Sequence, residues 1–454
     1  MQFRPSRHLP PGPKGIPFFG VLFDYNKDPT GFSFRCAQEF GDITLLPFGP
    51  LKVYLLSNPE HISEVFSHQN HCFVKGVSIQ SLKSSLGRGL LTSEGKFWKR
   101  QHRLIQPAFH RTRIVEYANI ITVATEAVIS QWQGGEVRNI QAEMMKLTLS
   151  ITAQSLFSTD VSGKAVVIES ALEAVLEHFS RQLNTFFLLP EWIPTPSNIQ
   201  FRRKLHQMDE AIYGIIRQRR ATKEPKFDLL TMLLQLENES GVRMSEREIR
   251  DEVVTLMMAG HETTALALTW TWVLLAQNPE IEEKLHQEIQ TVLQKRSPTI
   301  HDINQLEYAS WIIKESMRLY PPAWGTSRQV IETIELGGYI LEPGDTVFLN
   351  QWVMHRNPRF FECADQFKPQ RWGNSFEQSL PRGVYFPFGD GPRSCIGKNF
   401  AMMEAMLILV AIAQKFRLTL LSDDEIELQP SITLRPKHSV LMSLQKNICH
   451  SRQI

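Results

Sequence analysis

Cysteine is scarce in this chain and never arranged in pairs. Cys36, Cys72, Cys363, Cys395 and Cys449 are odd in number, widely separated and form no CxxC. Neither a disulfide framework nor a CxxC-based zinc site is expected, and a reducing, cytoplasmic setting fits. An excess of one charge is also lacking. The 49 Lys and Arg stand against 47 Asp and Glu, for a net +2. That balance leaves no electrostatic footprint for nucleic acid, which is not expected as a partner. The opening residues MQFRPSRHLPPGPKGIPFFG hold no signal-peptide core and no span of about 20 apolar residues. A soluble protein without a transmembrane segment is expected, with peripheral membrane contact as its only route to a bilayer. No Gly/Ser linker, charge block or repeat divides the 454 residues. One domain over 1–454 is therefore expected, with a proline-rich lead-in over 1–20.

What is present is mostly helical periodicity. The stretch 42–56 reads as two short strands around a Gly-Pro turn, and 333–350 repeats the idea. The spacing predicts helices within 115–157, broken near Gly134-Gly135, and over 165–187, 200–221, 280–295, 305–319 and 397–416. The longest helix opens at SERE, where Ser245 caps and Glu248 reaches back, and ends near Gln277 before Asn278-Pro279. Residues 253–276 are apolar enough to suggest a membrane span, but His261 and Glu262 in the middle favour a buried central helix.

Inside that helix lies AGHETT, Ala259–Thr264. Gly260 removes bulk, and the Thr263 hydroxyl, four residues after Ala259, is placed to bond its carbonyl and disturb the ladder. Either a ligand groove beside Glu262 or a close helix crossing fits. His261 reads as a packing residue. A second motif, KESMRLYPP, sets Glu315 and Arg318 on one helix face among apolar neighbours, with Arg371 in FKPQRW as a further candidate partner. The third is FPFGDGPRSCIGKNFA, residues 386–401. Its glycines allow close backbone approach, and Cys395 precedes a helix whose open N–H groups favour a thiolate. Zinc would require further ligands, and a cysteine hydrolase would require a histidine that spacing cannot place. A single axial thiolate on haem iron requires one cysteine.

FGDGPRSCIG resembles the haem-binding signature of the cytochrome P450 superfamily. AGHETT resembles its oxygen-activation motif, and Glu315, Arg318 and Arg371 resemble its buried charge triad. WKRQHR (Trp98–Arg103) resembles the helix that contacts the haem propionates, and PPGPKGIPFFG the hinge behind a membrane anchor in microsomal members. The motifs occur in family order over residues 10–397.

The resemblance implies a mainly α fold with small β-sheets, holding haem b between the central helix and the cysteine-loop helix. It implies Cys395 as iron ligand, with Phe388, Gly391 and Ala259 against the cofactor. Trp98, His102, Arg328 and Arg393 become propionate partners, although the family often has arginine where His102 stands. Gln370, where many members have glutamate, is a second departure. Thr263 and Glu262 become the acid–alcohol pair of a monooxygenase acting on O2 and a lipophilic substrate, fatty acid and terpenoid ranking nearly equal. Substrate contacts are expected from the loop around 73–92, from 181–192, and from Met258, Ala323, Trp324 and Ile432. Electrons are expected from a separate ferredoxin or flavodoxin-type donor, docking on Lys99, Arg100, Arg103, Arg111, Arg113 and Lys398, with the enzyme a monomer. A peroxygenase or isomerase, or a non-catalytic haem sensor, is the alternative that the intact acid–alcohol pair argues against.

Overall fold

The computed structural model describes residues 9–159, 165–184, 192–222, 228–235, 244–422 and 424–447. They form two compact units, each assembled from separate chain segments. The first comprises Met1–Lys83, Arg318–Gln366 and Gly373–Cys395. Its centre is a five-stranded sheet in the order Ile43–Phe48, Leu51–Leu56, Thr346–Leu349, Thr326–Val330, Phe73–Lys75. The first two strands pair antiparallel with Phe48 opposite Leu51, so Gly49 and Pro50 make the turn. Gly49 has φ +59°, a left-handed conformation that favours glycine. The third strand joins parallel to the second, with Val53 opposite Thr346. Against this sheet Val21, Phe32, Cys36, Leu46 and Leu55 form a core cluster.

The second unit comprises Ser84–Met317, Phe367–Trp372 and Ile396–Ile454. Its axis is the central helix Glu246–Gln277. At about 1.5 Å per residue, such a helix is close to 48 Å long. The expected cap is present: the Glu248 amide donates to Ser245 Oγ at 3.2 Å, and the Ser245 amide to Glu248 Oε2 at 2.8 Å. At the other end Asn278 Nδ2 donates to the Leu274 carbonyl at 2.8 Å, and Pro279 opens the next helix, Pro279–Leu293. The central helix packs on Ile140–Phe157 and on the helix that follows Cys395, Lys398–Lys415.

The expected helices appear at Arg111–Ile129, Ile140–Phe157, Ala165–Asn184, Pro196–Ala221, Pro279–Leu293, Glu307–Leu319 and Lys398–Lys415. Between the first two, where a break was expected, lies the strand Val137–Asn139, paired with Leu441–Ser443. A three-residue strand whose partner lies more than 300 positions away leaves no local pattern to read. No described helix is long and apolar enough to cross a membrane.

Candidate active site and its relatives

In the second unit, the central helix is buried without interruption from Ile249 to Leu275 except at three positions. Ala259 is exposed, and Gly260 and Thr263 are half-exposed. An exposed alanine in mid-helix marks an opening in the packing. The Thr263 hydroxyl donates to the Ala259 carbonyl at 2.8 Å, as the four-residue spacing suggested. Gly260 answers to the other reading of the motif. A Cβ there would lie 3.1 Å from the Thr152 side chain on Ile140–Phe157, so glycine permits the crossing. His261 is buried, with Nδ1 2.8 Å from the Met257 carbonyl, and burial lowers its pKa. It packs, as expected.

Glu262 is buried and heavily engaged. Its Oε1 accepts from Thr433 Oγ1 at 2.5 Å and from Arg435 Nε and a terminal guanidinium nitrogen at 2.8 and 2.6 Å. Arg435 sits on Leu434–Pro436, which forms a hairpin with Leu428–Pro430. Trp270 Nε1 donates to the Leu434 carbonyl at 2.9 Å, so the central helix holds this hairpin at two points. Ile432, half-buried, precedes Thr433 on the same hairpin. Met258, beside the opening, is buried. The sequence marked this late segment for substrate contact alone and missed the two residues that bind Glu262.

On the helix Gly95–Ile105, the Trp98 and His102 rings lie side by side, tilted by 42° with centroids 5.2 Å apart. Burial lowers the His102 pKa. Of the cations expected to dock a donor, Lys99, Arg103 and Lys398 are exposed, while Arg100 pairs with Glu248 at 3.4 Å and Arg113 with Glu116 at 3.0 Å. The Arg111 side chain and residues 185–191 lie outside the described residues.

In the first unit, Cys395 is exposed at the end of its loop, and its amide donates to the Phe388 carbonyl at 2.9 Å. Gly389 has φ +66°, and a Cβ there would meet nothing. At Gly391 a Cβ would fall 1.9 Å from the Phe66 carbonyl oxygen, so the bare backbone there clears that carbonyl. Asp390 anchors the loop by accepting from its neighbour's amide at 2.7 Å and by pairing with Arg382. Arg328 and Arg393 line one small pocket with Phe66, Asp390 and Lys75, a buried lysine that the sequence did not single out. Trp324 is buried edge-on against Phe348, with centroids 5.9 Å apart, and Ala323 beside it is half-buried.

The cytochrome P450 family's sequence profile matches residues 10–443. This chain belongs to the cytochrome P450 family. It is 37% identical over 425 residues to cyclooctatin synthase of Streptomyces melanosporofaciens, covering 93% of this chain and 92% of the relative. It is 33% identical to cyclooctat-9-en-7-ol 5-monooxygenase of the same organism, covering 89% and 88%. It is 32% identical to pentalenene oxygenase of Streptomyces avermitilis, covering 91% and 92%. The protein is thus a P450 monooxygenase with the P450 fold, acting on a lipophilic substrate, O2 and electrons from a redox partner. The family implies a haem-thiolate cofactor, and the residues present fit one. An exposed thiol before a helix start, an open face at Gly389 and two arginines lining one pocket would offer such a group an anionic ligand, clearance and counter-charge.

The charge triad is built more widely than expected. Glu315 is fully buried and accepts from Arg371 Nε at 2.9 Å, from Trp372 Nε1 at 2.9 Å and from the Lys368 amide at 3.0 Å. Arg318 donates to the carbonyls of His355, Ala364 and Gln366 at 2.9, 2.6 and 3.1 Å. Gln370 donates to the Tyr308 hydroxyl at 3.1 Å and leaves Arg371 in place.

Glu404, on the cysteine helix, is a buried acid that the sequence reading passed over. Burial pushes its carboxyl well above the usual range, against a smaller pull from the Thr264 hydroxyl. The folded state keeps a proton that the unfolded chain releases above about pH 4.3. This group's stabilisation is complete below that pH and falls as pH rises, by about 1.4 kcal/mol per unit until the folded acid ionises. Glu404→Gln cannot ionise, so its unfolding free energy should fall less steeply between pH 5 and 7 than the parent's. Parallel slopes would contradict a neutral Glu404.

Proposed function

We propose that this P450 oxygenates a terpenoid, with haem b held by the Cys395 thiolate and electrons delivered by a ferredoxin or flavodoxin-type protein. The observation that carries the substrate class is the agreement of three relatives, at 32–37% identity over about nine-tenths of the chain, whose names concern cyclooctatin, cyclooctat-9-en-7-ol and pentalenene. Arg435 is committed to the Glu262 carboxylate and serves the site through it. Titrating the resting enzyme with terpene hydrocarbons and with straight-chain fatty acids should shift the haem spin state at least tenfold more readily with the terpenes. The reverse order would reject the assignment.

In this reading Trp98, His102, Arg328 and Arg393 hold the propionates, and Phe388, Gly391 and Ala259 lie against the ring. Haem, when bound, supplies the iron centre that activates O2. Thr263 presents a hydroxyl at the one opening of the helix, and Glu262 delivers protons toward it. Arg435 and Thr433 are positioning residues: three donated bonds hold the carboxylate in place. Glu262→Gln should slow turnover about 100-fold, within the range for a lost general acid, without weakening the substrate-induced spectral shift. Arg435→Gln should slow turnover less and alter its pH profile. Because both changes act through one carboxylate, the double variant should be no slower than Glu262→Gln alone. Multiplicative losses would separate Arg435 from Glu262.

A further inference from the structure

The turn Asn70–Cys72 runs directly into the strand Phe73–Lys75. Its partner strand, Thr326–Val330, runs out into Ile331 and Glu332. The Ile331 amide donates to the Cys72 carbonyl at 2.8 Å, carrying the pairing one step past Phe73 and Val330. That step gathers three different donor groups at one strand end. A ring nitrogen of His71, Sγ of Cys72 and a carboxylate oxygen of Glu332 all lie within 4.8 Å of one another. The thiol is 3.9 Å from Glu332 Oε2. Cys72 is buried, and His71 and Glu332 are exposed.

We propose that His71, Cys72 and Glu332 form a binding site for a borderline divalent cation, zinc in preference to magnesium or calcium. Zinc takes sulfur at about 2.3 Å and nitrogen or oxygen at about 2.0–2.2 Å, which sets tetrahedral donors ~3.3–3.6 Å apart. The cluster must therefore contract by a little over an ångström. Cys72 is anchored by the pairing, and the exposed His71 and Glu332 side chains have room to turn toward it. A thiolate and an imidazole exclude the hard, oxygen-seeking cations. The charges also match. A thiolate 3.9 Å from a carboxylate oxygen is repulsive by itself. A divalent ion neutralises both. On binding, the S–H bond breaks, the proton goes to solvent and the sulfur lone pair goes to the metal, with no change of oxidation state. The fourth position faces solvent and takes water. The bound ion ties together two strands that bring Lys75 opposite Arg328, and both of these residues line the pocket described above.

The test is equilibrium dialysis of the haem-loaded protein, stripped of loosely held metal, against zinc at micromolar concentrations, with zinc and iron both counted. One zinc per chain is expected in addition to the iron. Cys72→Ser, His71→Ala and Glu332→Gln should each weaken zinc at least tenfold, and zinc should raise the parent's Tm but not that of Glu332→Gln. The latter two changes lie on the surface, so the folded holoprotein survives them and its haem spectrum reports this. Failure of the parent to take up zinc below millimolar concentrations overturns the proposal. So does uptake that all three variants retain, or a loss confined to Cys72→Ser, which would mark a bare thiol.

Discussion

Cys395→Ser is expected to remove the red-shifted Soret band of the reduced, carbon-monoxide-treated enzyme and to bring O2-dependent turnover to background. The effect rests on ionisation. A cysteine thiol ionises near pH 8.5 in water and lower at a helix start, whereas a serine hydroxyl does not ionise in the working range. The helix Lys398–Lys415 begins three residues beyond Cys395, with Gly397 as its N-cap and no side chain bonding its first amides. Those amides and the dipole behind them favour negative charge at the sulfur. Oxygen for sulfur therefore removes a charged, polarisable ligand while changing little in volume. Because Cys395 is exposed and outside the packed core, the haem-free variant should fold with a stability change inside about 0.5 kcal/mol. Cys363, also exposed, is the internal control: Cys363→Ser should leave spectrum and turnover intact. A Cys395→Ser enzyme that kept the thiolate-type spectrum would refute the assignment.

Features written in neighbouring residues were legible in the sequence. The Ser245–Glu248 box, the stop at Asn278-Pro279 and the Thr263 bond to Ala259 all follow from spacings of one helical turn, and all are present. Glu315 and Arg371 were paired from a distance because a buried carboxylate among apolar neighbours demands a counter-charge, and the structure pairs them. Features that depend on long-range closure were not legible. Nothing near Arg435 distinguishes it from a surface arginine until the hairpin folds back on Glu262, 173 positions earlier. Lys75 becomes a pocket residue only when its strand pairs with the one bearing Arg328. Gly391 is a mixed case. Its need for a bare backbone was readable, but the Phe66 carbonyl that a Cβ would meet comes from a distant segment and was not.

The other large effect belongs to Glu315 and concerns folding before chemistry. Glu315→Ala leaves Arg371 Nε, Trp372 Nε1 and the Lys368 amide without their acceptor, at a site with no solvent to replace it. Removing one partner of a buried ion pair costs about 3–5 kcal/mol, chiefly because the surviving charge is left unpaired. Set against the roughly 5–15 kcal/mol that holds a typical domain, that loss is severe. The expected outcome is a sharp fall in the yield of haem-loaded protein and a large drop in the urea midpoint. Glu315→Gln should fall between variant and parent, since its amide oxygen still accepts while its charge is gone. Arg371→Ala should resemble Glu315→Ala, and the double change should cost less than the sum, because the second loss removes a charge the first had stranded. Gln370→Glu, one position away on an exposed contact to Tyr308, should move the midpoint little. If Glu315→Ala unfolded at the parent's urea concentration, this network would not be what holds the Lys368–Trp372 segment against its helix.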